Sequence, residues 1–176
     1  MRAVSNSLLR AASCFLLVAS FGLKGAAAAD EKYSNPEYGY SVLLPNLAPR
    51  RESQPPAPQH GVAIDLPSGG RIWVDGSFDT NFQGSAKTAL KQLLADAGGY
   101  ITRSLRQTRV ASLEAASASY SKANVVSTRV LAYRPRAPAV AVLYTFGLDT
   151  TRLQQRGDSE VFEKVVRSFS LAPLPE

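Results

Sequence analysis

At 176 residues, 45% apolar and 19% charged, the chain has the make-up of a single globular domain with a buried core, which excludes a disordered or low-complexity protein. The formal charge of +6 overstates the working part: Arg2, Arg10 and Lys24 all precede the first acid, Asp30, and from there on 17 bases face 14 acids, a net +3. That mild excess is far from the clustered basic footprint of a nucleic-acid binder, so no nucleic-acid partner is expected.

Met1 to Arg10 is polar, Ala11 to Leu23 is an apolar run, and Gly25 to Ala29 is a run of small residues ahead of Asp30. This is the layout of a secretory signal peptide over residues 1–29 with cleavage after Ala29. The apolar run is shorter than the roughly 20 residues a membrane-spanning helix needs, and Lys24 closes it, so no transmembrane segment is expected after cleavage. Cys14 stands at the start of the run with Ala11 three residues before it, which does not suit a lipoprotein cysteine, and it leaves with the signal. The mature chain then has no disulfide and no thiolate chemistry and relies on its core alone. These features predict a periplasmic or secreted protein with one domain over residues 30–176.

Along that domain, Asn35-Pro36 marks a turn, and Tyr40 to Leu44 reads as a strand stopped by Pro45. Five prolines between Pro45 and Gln59, with Arg50, Arg51 and Glu52 among them, predict a surface loop without ladder hydrogen bonds. His60–Leu66 and Arg71–Asp75 alternate in polarity about Pro67-Ser68-Gly69-Gly70, which predicts a hairpin. Ser85 is placed to cap a helix with Ala86, Ala89, Leu90, Leu93, Leu94 and Ala97 on one face, ended by Gly98-Gly99. Period two then returns over 100–108, 113–121, 125–133 and 139–146, with Pro135 to Pro138 as the last turn, an antiparallel meander. A final helix is expected to open at Asp158 or Ser159 and to carry Phe162, Val165, Val166 and Phe169 on one stripe. The order predicts an α+β protein, a largely antiparallel sheet flanked by helices in layers.

The opening Tyr33-Ser34-Asn35-Pro36 with Tyr38-Gly39-Tyr40-Ser41-Val42-Leu43-Leu44-Pro45, and the closing stretch Val161 to Phe169, resemble the PsbP-like superfamily, which includes DcrB-type bacterial periplasmic proteins of mostly unknown function. The resemblance spans nearly the whole mature chain. It implies a layered α/β/α sandwich in which the Gly permits a turn and the Phe anchors the last helix, and it implies no particular activity.

His60 is the only histidine, so any Ser-His-Asp arrangement must use it, with Asp65 near in sequence; no Gly-x-Ser-x-Gly elbow is present, and a surface or strand-entry histidine is the expectation. Asp65, Asp75 and Asp79 would suit a hard cation if they gathered at one edge, but without a calcium-loop motif they read as solvated hairpin acids. Trp73 shares a strand face with Arg71 and Asp75 and reads as core. Arg103, Arg106 and Arg109 form a basic stretch toward anionic envelope surfaces, yet strand alternation turns Arg106 away from the other two.

No catalytic, cofactor or metal residue is assigned on these grounds, and no cofactor is expected. The leading expectation is a non-enzymatic periplasmic or secreted accessory protein that binds another envelope component, with Pro45 to Gln59 as its docking loop. Two alternatives stand beside it: a small-molecule or metal carrier with a pocket between sheet and helix, and a small envelope hydrolase using His60.

Overall fold

The computed structural model describes residues 29–47, 51–53, 55, 59–80, 84–96, 104–137 and 140–175. All of the expected signal peptide but Ala29 therefore lies outside the described residues, as do most of the prolines between 45 and 59, the Gly98-Gly99 helix stop and Arg103. In chain order the elements are β1 (Glu31–Asn35), β2 (Tyr40–Leu44), β3 (Arg51–Ser53), β4 (Gly61–Asp65), β5 (Arg71–Asp79), α1 (Ala86–Asp96), β6 (Arg106–Val110), β7 (Leu113–Lys122), β8 (Val125–Ala137), β9 (Val140–Thr151), α2 (Gln155–Arg167) and β10 (Ser170–Leu171). No described helix is long and apolar enough to cross a membrane.

The strands form a seven-stranded antiparallel sheet in the order β3-β4-β5-β9-β8-β7-β6 and a three-stranded one in the order β1-β2-β10. The large sheet is apolar on both faces for different reasons. One face carries Ile72, Val74, Val130, Ala132, Val142, Tyr144, Phe146 and Leu148, buried against Tyr38, Tyr40, Val42 and Leu44 of the small sheet and Phe162 and Val165 of α2. The opposite face packs Ala116, Ala118 and Leu131 against Ala86, Leu90 and Leu94 of α1, which covers only the β6-β7-β8 half. Tyr40, Tyr144, Phe146 and Phe169 join the layers through ring contacts of 5.0–5.8 Å, each such pair adding about 0.5–1.5 kcal/mol to its burial.

The hairpin, the α1 stripe as far as Leu94 and the last three meander strands lie where the sequence places them, whereas the first meander strand, expected over 100–108, begins only at Arg106, with 100–103 outside the described residues. Ser85 caps α1, its Oγ accepting the Thr88 N–H at 3.3 Å. Gly69, at φ +84°, turns the β4–β5 hairpin, closed by the Leu66 N–H on the Gly70 carbonyl at 2.7 Å.

Three expectations are corrected. Arg51–Ser53, the proline-free centre of the predicted loop, pairs with β4 as strand β3; it lies at the sheet edge, where only one row of ladder bonds is needed. Pro135 does not end β8, which continues to Ala137 through a register shift between Pro135 and Ala137 and so absorbs the missing donor as a bulge. The last helix opens at Gln155, one turn before Asp158, because the Asp158 side chain is buried against the hairpin and does not cap.

Candidate binding site

The β6-β7-β8 half of the sheet extends beyond α2 and leaves a cleft of about 360 Å³ between them, within the size range of small-molecule sites. Its sheet wall comes from β6, β7 and β8, and its helix wall is the stripe Gln155, Ser159, Phe162, Glu163 and Val166. The stripe follows from helix periodicity: residues three, four, seven and eight apart share one face.

Depth sorts the lining. Val110 (3% exposed), Val130 (7%) and Phe162 (4%) form the closed end. Ser117, Ser119, Thr128 and Ser159 stand half-buried along the walls, and Thr108, Arg106 and Arg109 are exposed at the rim. The Ser119 and Thr128 hydroxyls bond each other at 2.9 Å, and Ser104 Oγ both donates to the Ser119 carbonyl and accepts its N–H. The Glu163 carboxylate is held by Arg167 at 2.6 Å, so its charge is largely compensated. Arg106 lies opposite Ser117 on the cleft face of β6, whereas Arg109 lies opposite Glu114, whose carboxylate accepts the Ala86 N–H on the α1 side, so Arg109 borders the cleft only through its place beside Val110. Sequence reading missed the hydroxyls. Their signal was Ser117 and Ser119 at period two on a strand face that is otherwise apolar at Leu113 and Ala115.

His60 lies elsewhere, at the start of β4. Its Nδ1 is 2.8 Å from Tyr38 Oη, with the two rings stacked at 5.3 Å, and the Asn35 side chain donates to its carbonyl at 2.7 Å. Burial, and then the Glu37 carboxylate, push the Tyr38 phenol up to about 12, so it keeps its proton at neutral pH. Asp65 is remote, pairing with Arg71 at 3.9 Å. The ring is thus bonded to a phenol, and among the described residues no serine hydroxyl bonds it as a triad requires.

The three hairpin acids are strung out, with Asp65 opposite Arg71 and Asp79 opposite Ala141 at the far end of β5. Among the described residues no three His, Cys, Asp or Glu side chains gather as a metal site would need. Asp75, read as solvated, is instead 4% exposed. Burial pushes its carboxyl up to about 6, while the His60 backbone N–H and the His60 charge pull weakly downward. The folded state therefore binds this proton more tightly than the unfolded chain, so Asp75 supports the fold below about pH 4 and that support is lost as pH rises through 6. Asp75→Asn is expected to raise stability at pH 7 by about 1–2 kcal/mol and to leave it almost unchanged at pH 4. Urea unfolding at the two pH values checks this; an equal effect at both would refute it.

Trp73 is core, 6% exposed, lying flat across Gly147 with the Arg129 guanidinium 5.1 Å from its ring centre.

No family model matches the chain, and no curated protein matches it in sequence. Two solved structures share its architecture. The crystal structure of LpqN, involved in cell envelope biogenesis of Mycobacterium tuberculosis, superposes with a TM-score of 0.58 at 10% identity, covering 82% of this chain and 91% of that one. The solution structure of cyanobacterial PsbP (CyanoP) from Synechocystis sp. PCC 6803 superposes with a TM-score of 0.55 at 17% identity, covering 88% of this chain and 98% of that one. The chain has a PsbP-like fold.

The motifs that carry the PsbP-like resemblance sit in the small sheet and at the end of α2. Asn35 Oδ1 accepts the Tyr38 N–H at 3.2 Å, and Gly39, at φ +61°, lets the C-terminal segment pass where a Cβ would come within 2.9 Å of the Ala172 and Pro173 carbonyls. Ser168 Oγ donates to the Val165 carbonyl and accepts the Leu43 N–H, tying the end of α2 to β2, and Phe169 joins the aromatic core. Asn35, Gly39, Ser168 and Phe169 thus hold the frame, whereas Phe162, Glu163 and Val166 of the closing stretch also line the cleft.

Proposed function

We propose that the mature chain is a non-enzymatic binding protein of the cell envelope, exported to the periplasm or beyond, which binds through the cleft between α2 and β6–β8. The observation that carries this reading is the graded lining of the cleft: an apolar end, hydroxylated walls and a cationic rim form a surface for holding a ligand, and among the described residues no activated nucleophile stands in it. The fold shared with LpqN and the signal-like first 29 residues support the envelope setting.

Two experiments test it. Mass spectrometry of the protein recovered from an envelope fraction should find a mature N-terminus at Asp30; an intact Met1 would sink the export part. For the cleft, a photo-cross-linking residue at Thr108 is expected to form an adduct in irradiated cells, whereas the same residue at the exposed Lys87 of α1 is not. Equal yields at both positions, or none at Thr108, would remove the cleft as the binding surface.

A further inference from the structure

We propose that the cleft takes a phosphate-headed amphiphile, apolar end first, with its oxyanion held at the rim by Arg106. This rests on the reading of the cleft as the binding surface and names the chemistry that surface selects.

Each zone of the lining constrains a different part of the ligand. The deep end offers Val110, Val130 and Phe162, with the partly buried Val166 beside them, and no charged side chain. Water there lacks the polar partners that ordered buried water needs, so an apolar group is favoured in its place. The middle zone offers Ser117, Ser119, Thr128 and Ser159, hydroxyls that both donate and accept and that suit ester or hydroxyl oxygens. At the rim the sheet wall carries one cation, Arg106, and the helix wall one carboxylate, Glu163, which already holds Arg167 at 2.6 Å. Among the described residues neither Arg106 nor Arg109 forms an ion pair. Arginine's planar fork of donors matches phosphate oxygens, and its positive charge rejects a cationic head.

A bare anion would leave the apolar end unfilled, and a neutral amphiphile would leave the Arg106 charge unanswered. At about 360 Å³ the cleft stands at the small end of ligand sites, which limits the enclosed apolar part to a short chain or the tip of a longer one. The same head-and-tail chemistry occurs in anionic phospholipids and in soluble single-chain phosphate esters.

The test is titration calorimetry on the full processed protein with four probes. Hexyl phosphate is expected to bind at least 10-fold more tightly than inorganic phosphate, which has the head alone, and than hexyltrimethylammonium, which has the same tail and the opposite charge. Arg106→Glu, a change at an exposed position, should weaken hexyl phosphate at least 10-fold without moving the melting temperature, whereas Arg106→Lys should keep most of the affinity. Dihexanoylphosphatidylglycerol, as monomer, separates the sources: binding equal to hexyl phosphate assigns a lipid headgroup, and exclusion assigns a single-chain ester, each within the proposed class. Inorganic phosphate binding as tightly as hexyl phosphate, or Arg106→Glu binding as tightly as the parent, would overturn the proposal. Should Arg106→Glu fail to fold, the hexyl phosphate to hexyltrimethylammonium ratio decides alone, equality being fatal. Absence of hexyl phosphate binding alongside a Thr108 photo-adduct removes the ligand class and keeps the cleft; absence of both removes the cleft reading as well.

Discussion

Gly147→Ala is expected to cost about 3–5 kcal/mol, as much as deleting a buried indole. A Cβ at position 147 would lie 2.0 Å from Cε2 and 2.3 Å from both Cζ2 and Nε1 of Trp73, inside any possible contact. The indole has no room to retreat. On its far side Arg129 is held by Asp149 at 2.8 Å and by the Thr128 and Leu148 carbonyls at 3.1 Å. Trp73 is the only tryptophan, so its fluorescence reports the event directly: Gly147→Ala should shift the emission to the red and lower the urea midpoint. In combination with Trp73→Ala the glycine change should add little, since the clash then has no partner. Gly157→Ala is the matched control, on α2 with nothing within 4 Å of the new methyl, and is expected to stabilise by roughly 0.5–1 kcal/mol. A Gly147→Ala midpoint equal to that of the parent would show that the indole does not pack as described.

Asp158→Ala is expected to cost about 3 kcal/mol, the second largest effect. Asp158 is buried in the first turn of α2, where a negative charge also suits the helix dipole. Its carboxylate accepts from Ser68 Oγ at 2.8 Å and, in a short bond, from Thr150 Oγ1, joining the hairpin turn, the end of β9 and the start of α2. Removing it leaves two hydroxyls without their charged acceptor, each loss of the order of 1.5–3 kcal/mol before relaxation. Hydrogen exchange should show that the first turn of α2 and the Pro67–Gly70 turn lose protection together while α1 keeps its own. If α1 loses protection to the same degree, the change is global and the joint is not local to these three elements.

The site was less legible than the frame, and particular residues show why. His60 stood out as the only histidine, yet it is engaged by Tyr38, 22 positions away, a pairing no local pattern announces. Asp75 looked like any hairpin acid because period two says which side of a strand a residue faces and not whether that side is covered. Arg106 and Arg109 are parted by alternation as expected, Arg106 on the cleft face opposite Ser117 and Arg109 on the α1 face opposite Glu114, but period two alone does not say which of the two faces is left open. The break at Gln155 was hidden because Asp158 has the chemistry of a cap and is used instead as a buried anchor.

By itself the sequence determined what depends on neighbours a few residues apart: the β4–β5 hairpin from its Gly-containing turn, the α1 face from 3.6-residue spacing, the meander from period two, and the α+β class from their order. Tertiary structure alone decided which strands became neighbours. The pairing of β5 with β9 rather than β6, which sends β6 to the far edge and opens the cleft beneath α2, joins segments some 70 residues apart. Such pairing is selected by how whole apolar faces bury against each other, Tyr40 and Phe169 on Tyr144 and Phe146 foremost, and that sum is not written in any local window of the chain.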